Sequence, residues 1–175
     1  MSKSSIFFST QIWPIFVITL RNDQNISDLF SERFCFSDWP NHSIPMVSAG
    51  VYVVWQGDLL IYAGMSGRQT EKNLGKKKYG LITRLDSHAK GRLSGDQFNV
   101  YVANRLVIPK LAPDQFVEFA EGTLTLDLLT RQHIHENFEY QYLIVEASAE
   151  AFQLERLCQS GAVFGQKPYL NPTVS

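Results

Sequence analysis

Cysteine is scarce in this chain, with only Cys35 and Cys158 among 175 residues. No Cys-x-x-Cys pair and no cysteine–histidine cluster of zinc spacing accompanies them, which excludes a disulfide framework and a structural zinc site and points to a reducing, cytoplasmic setting. Charge is sparse as well, at 19% of residues against 45% apolar. That balance excludes a disordered chain and supplies enough apolar side chain for one compact core. Neither an internal repeat, nor a low-complexity tract, nor a long linker occurs. The apolar N-terminal run SIFFSTQIWPIFVITL is interrupted by Ser9, Thr10, Gln11 and Pro14 and is too short for a membrane span. No small-residue cleavage site follows it, so it reads as a buried strand rather than a signal peptide, and no membrane contact is expected.

What is present is uneven. The formal net charge is −1, yet between Ser66 and Arg92 eight Lys or Arg stand against two acids, and between Asp114 and Glu150 eight acids stand against Arg131 alone. Such a polarised chain can draw a polyanion to one side, and the basic residues that would meet it are Arg68, Lys72, Lys76, Lys77 and Lys78. A solvated loop using lysine for solubility is the plainer reading of the same run.

Residues 1–48 read as an N-terminal extension packed on the core, turn-rich in RNDQNISD and SDWPNHSIP. A β-hairpin over 51–63 follows, rich in Val, Ile, Tyr and Trp around Gln56-Gly57-Asp58. The basic, glycine-punctuated stretch leads into a helix over about 81–90, ended by Gly91. DQFNVYVANRLVI is strand-like, and residues 110–136 read as an inserted segment with two short helices broken near Gly122. FEYQYLIVEA is a further strand, and Ser148 is placed to cap a last helix that ends before Gly161. Strands and helices mix without βαβ alternation, so the expected class is α+β, a small antiparallel sheet flanked by helices.

Three features concern chemistry. With a three-residue hairpin loop, Tyr52 lies opposite Tyr62 and both hydroxyls share one face; a two-residue loop pairs Tyr52 with Ala63 instead. On the helix LITRLDSHAK, Arg84 and His88 are neighbours one turn apart at the edge of the apolar arc. On SAEAFQLERLCQS, Glu155 falls inside an arc formed by Ala151, Phe152, Leu154 and Cys158. A carboxylate there needs a partner, either a cation such as Arg84 or a metal ion. His133 and His135, by contrast, point about 200° apart on a helix and cannot chelate together.

These residues spell a known pattern: the sequence resembles the GIY-YIG nuclease family. Gly50-Val51-Tyr52 stands for the first signature and Tyr62-Ala63-Gly64 for the second. Arg84 matches the arginine of the following helix, Glu155 in LERL the glutamate of a later helix, and Asn171 in KPYLNP the asparagine that closes the domain. His88, one turn after the arginine, is similar to the arrangement of the restriction-enzyme branch. The resemblance covers about 50–172, within a domain spanning 49–175. It departs at Ala63, where isoleucine is usual, and at Met65 and Ser66, where many members carry lysine. A catalytic lysine would then have to come from Lys76 to Lys78.

The resemblance implies a metal-dependent endonuclease that hydrolyses phosphodiester bonds in DNA, of a restriction type or of a repair or recombination type. RNA is left open, as is a non-catalytic nucleic-acid-binding module on the same scaffold. One carboxylate plus substrate phosphates suits Mg²⁺, or Mn²⁺ in its place, so Glu155 is the implied metal ligand. Arg84 is suited to phosphate oxygens, Tyr52 to orienting or deprotonating water, Tyr62 and His88 to phosphate contact or proton transfer, and Asn171 to bracing. Cutting both strands with one site per chain calls for a homodimer or two successive events.

Overall fold

The computed structural model describes residues 25–172. The strand expected near the N-terminus lies outside the described residues, as do residues 173–175. The fold is α+β. Strands β1 (Phe34–Cys35), β2 (Val47–Gln56), β3 (Leu59–Ser66) and β4 (Tyr79–Gly80) come first, followed by helices α1 (Leu81–Ala89), α2 (Gln97–Val102), α3 (Gln115–Glu121) and α4 (Leu126–Asn137), and then by strand β5 (Glu139–Val145) and helix α5 (Ser148–Ser160). The main sheet is antiparallel in the order β1-β5-β2-β3, and the two residues of β4 add to β2 in parallel.

Strand β2 sits between β3 and β5 and is buried from Ser48 through Trp55, which explains its near-continuous apolar sequence. Its alternate side chains serve two cores. Val51, Val53 and Trp55 pack with Ala151, Leu154 and Cys158 of α5, whereas Tyr52 and Val54 pack with Leu81, Ile82 and Leu85 of α1 and with Ile134 of α4. The segment read as inserted therefore divides in two: α4 buries Thr130 and Ile134, whereas α3 buries none of its residues. Residues counted as N-terminal extension are likewise partly structural, since β2 begins at Val47 and Phe36 and Ile44 are buried.

Two expectations are corrected. DQFNVYVANRLVI is not a strand. The Asp96 carboxylate accepts the backbone N–H of Phe98 and Asn99 and so caps α2, which runs on through a wider π-type turn at Ala103–Val107 and a 3-10 turn at Ile108–Lys110. Helical spacing then buries Phe98, Asn99, Val102 and Ala103 together, so a good cap and a shared buried face prevail over the β propensity of Val and Tyr. The last helix begins at Ser148 itself, so that Ala147, one residue before the expected cap, stands in the N-cap position and gives no side-chain cap bond.

Candidate active site

The hairpin turn is of two residues, Gly57 and Asp58, because Gln56 pairs with Leu59 and Trp55 with Leu60. A bulge then inserts Ile61, so that Val54 pairs with Tyr62, Val53 with Ala63 and Tyr52 with Gly64. The expected pairing of Tyr52 with Tyr62 is thus incorrect, but the extra residue restores the parity that a short loop would have spoiled. Both tyrosines face α1, with ring centroids 6.3 Å apart. The two glycines of the signature positions have steric causes. A Cβ on Gly64 would overlap the Tyr52 hydroxyl, and one on Gly50 would strike the Leu143 carbonyl and the Leu81 side chain.

Tyr52 and His88 are buried, at 2% and 1% exposure. His88 thus lies inside the core rather than at the edge of its helix's apolar arc. Its Nδ1 is 2.7 Å from Asp96 Oδ2, and its Nε2 is 2.8 Å from the Tyr52 hydroxyl. An ionised carboxylate only accepts, so Nδ1 carries the hydrogen and Nε2 accepts from the Tyr52 O–H. Asp96 is held in turn by the Ser87 hydroxyl at 2.6 Å and by the N–H groups of Phe98 and Asn99. Asp96, His88 and Tyr52 form one chain in which each polar atom has a partner. Sequence reasoning missed Asp96, whose only local signal is an Asp preceding a segment of strand-like composition.

Burial sets the proton affinities along this chain. It raises the Tyr52 pKa well above the ordinary phenol value, with Tyr62 adding and the Arg84 charge opposing. Burial and the Glu155 charge push Tyr62 up to about 12. In His88 burial lowers the pKa below the ordinary imidazole value, opposed by the hydrogen bond and charge of Asp96. Burial alone would raise Asp96, but the bonds and charge from His88 and the Ser87 and Asn99 contacts outweigh it, leaving the carboxyl below its ordinary value. At neutral pH the site therefore holds a phenol, a neutral imidazole and a carboxylate.

These side chains border a cleft of about 570 Å³ whose lining includes Tyr52, Tyr62, Arg84, His88 and Glu155. Arg68 lines it too, whereas Lys72, Lys76, Lys77 and Lys78 do not. All four lysines are exposed, and Lys76 reaches over the Tyr79 ring at 4.9 Å from its centroid. Tyr79 itself lines the cleft and donates to the Arg68 carbonyl. Arg84 is exposed, and among the described residues no carboxylate lies within ion-pair distance of it or of Arg68.

Glu155 is half-buried, and its Oε1 accepts the Met65 N–H at 3.1 Å. Burial raises its pKa, countered by that N–H and by the charges of Arg68 and Arg84. The Arg84–Glu155 ion pair considered from sequence does not form. Phe152, expected on the same arc, is 45% exposed and lies against Arg156. Among the described residues no three His, Cys, Asp or Glu side chains come together as a metal group. Two carboxylates line the cleft, and Asp96 is committed to His88, Ser87 and the start of α2, so Glu155 is the one left to a metal. One such carboxylate fits the divalent ion that keeps most of its waters and takes its other ligands from phosphate, not a zinc-type cage.

Asn171 does not line this cleft; it braces the strand behind it. Its Oδ1 accepts the Ala63 N–H at 2.8 Å and its Nδ2 donates to the Ala63 carbonyl at 2.9 Å, which pins the backbone between Tyr62 and Gly64. His133 and His135 are engaged separately, His135 with the Ala89 carbonyl and His133 edge-on to Phe138. Cys35 and Cys158 are both free, and no helix among the described residues is long and apolar enough to cross a membrane. Comparison with family models, with curated proteins and with solved structures finds no match to this chain.

Proposed function

We propose that this chain is a cytoplasmic, metal-dependent endonuclease that hydrolyses phosphodiester bonds in DNA. One observation carries the reading: Tyr52, Tyr62, Arg84, His88 and Glu155, contributed by β2, β3, α1 and α5, border a single cleft in which Arg68 and Arg84 have no ion-pair partner among the described residues. Hydrolysis needs an activated water and relief of the charge that grows on the phosphate. When bound at Glu155, Mg²⁺ or Mn²⁺ supplies charge neutralisation and lowers the pKa of coordinated water.

The chain's own residues do the rest. Arg84 holds non-bridging phosphate oxygens through its planar fork, and Arg68 adds a second positive charge at the same wall. Tyr52 has its hydrogen committed to His88, so its oxygen is the acceptor that faces the cleft. As the attacking water gives a proton to that oxygen, the phenol proton passes to Nε2 of His88, and Asp96 stabilises the imidazolium. A free phenolate is never required, which matters because burial makes one costly here. Tyr62 keeps its proton and serves as a donor to the phosphate.

Nicking of supercoiled plasmid with and without Mg²⁺, for the wild type beside Glu155→Gln, with DNA binding followed by gel shift, tests the reading. Metal-dependent nicking that disappears in the variant while binding persists supports it. Binding without nicking by the wild type, with Mn²⁺ tried and RNA substrates included, overturns it in favour of a non-catalytic binding module.

A further inference from the structure

A second cleft, of about 430 Å³, is walled by α5, the Ala103–Val107 turn and the C-terminal segment. Arg105, Arg156 and Lys167 line it together with Gln159 and Asn171, and its lining contains no carboxylate. All three cations are exposed, and among the described residues none has an acidic side chain within ion-pair distance. In a chain whose net charge is −1, three unpaired cations gathered from three separate stretches make a local positive field that a polyanion relieves.

Arg105 is preorganised. Its Nη1 donates to the Tyr169 carbonyl at 2.8 Å, and its guanidinium lies 4.2 Å from the Tyr169 ring centroid. That segment is itself fixed along β3, Tyr169 and Leu170 donating to the carbonyls of Leu60 and Ile61 and Asn171 clasping Ala63. The two clefts are neighbours: consecutive residues of α5 serve them, Glu155 lining the first and Arg156 the second, and Ala63 lies between Tyr62 and Gly64 of the first.

We propose that the second cleft grips the phosphodiester backbone of the nucleic acid whose scissile phosphate enters the first, at phosphates away from the cut. The proposal rests on the nuclease reading. A strand offers phosphates at regular spacing across adjoining clefts, which a small anion or an irregular acidic peptide does not.

The test measures binding of the full chain to a fluorescein-labelled DNA duplex of about two helical turns, by anisotropy in EDTA across a salt series. Wild type is compared with Arg156→Gln/Lys167→Gln, both sites exposed and outside the first cleft. Losing two phosphate contacts weakens binding several-fold at low salt and flattens the slope of log affinity against log salt by roughly 1.8, about 0.9 for each contact. The melting temperature stays unchanged; if it falls, Lys167→Gln alone decides the matter, with about half the flattening expected and an unchanged slope overturning the site. An unchanged slope and affinity in the double variant, with wild type still binding and nicking, overturns the second site and leaves the nuclease reading standing. Polyglutamate displacing the duplex as well as unlabelled DNA does overturns the choice of ligand. No binding of DNA or RNA by wild type overturns both.

Discussion

The two faces of β2 are about equally buried, yet they bury different things. Toward α5, Val51, Val53 and Trp55 meet Ala151, Leu154 and Cys158, and the contact is one of apolar area alone. Toward α1, Tyr52 meets His88, and a polar chain runs on to Asp96 at the start of α2. Apolar burial stabilises a fold without demanding a particular geometry, whereas a buried polar chain stabilises only when every member is satisfied. The first face is what a small α+β domain needs. The second holds a carboxylate, an imidazole and a phenol in hydrogen-bonding order at a cleft wall, a costlier arrangement that the nuclease reading explains and the fold alone does not require.

Substitutions can separate the faces. The largest effect is expected from Asp96→Asn, which keeps the size but lets the amide donate to Nδ1, so that Nε2 carries the hydrogen and can no longer accept from Tyr52. Cleavage in single-turnover assays should fall roughly 10²- to 10⁴-fold. Leu60→Ala, on the opposite face, should remove about 2–5 kcal/mol of stability in urea melts, with the cleavage rate per folded molecule within about twofold of wild type. A large rate loss there would mean that the faces are not separable. Gly64→Ala should act on both quantities at once, because its Cβ must push the Tyr52 hydroxyl away from His88. A stability cost of about 1–3 kcal/mol accompanied by a fall in rate is expected.

Acidification gives the smallest effect. His88 has a folded pKa below its ordinary value of 6.5, so below about that pH the unfolded chain binds a proton that the folded chain refuses. Stability should therefore be fully present above that pH and decline as pH falls below it, by at most ~1.4 kcal/mol per pH unit from this group. The depressed Asp96 contributes only further down, near and below the ordinary carboxylate range. Urea melts of wild type and His88→Gln across this window should converge toward acid, and parallel curves would contradict the assigned neutral imidazole.

Much of the frame is legible from spacing: the hairpin, the helix carrying Arg84 and His88, the helix break at Gly122, the β5 strand and the C-terminal helix. Each is marked by local turn chemistry or a single period. What is not legible depends on contacts between distant residues. Nothing near Ile61 announces a bulge, yet that one residue decides which side Tyr62 faces. The sequence around Val100 and Tyr101 favours a strand, and only the Asp96 cap together with the buried Phe98–Val102 face makes it helical. The same strand-like composition hides Asp96. Glu155 is correctly placed toward the core by its helical spacing, but its partner, the Met65 N–H, belongs to a strand far away in sequence.

The central claim, that the buried chain ending at Tyr52 moves the proton of the attacking water, is tested most directly by Tyr52→Phe. This change removes one oxygen and leaves the ring in place. Single-turnover cleavage of a DNA duplex in Mg²⁺ should drop at least about 10²-fold, with duplex affinity retained and a stability cost of about 1–3 kcal/mol for the unpaired His88 nitrogen. Cleavage at the wild-type rate by a folded Tyr52→Phe protein would contradict the account.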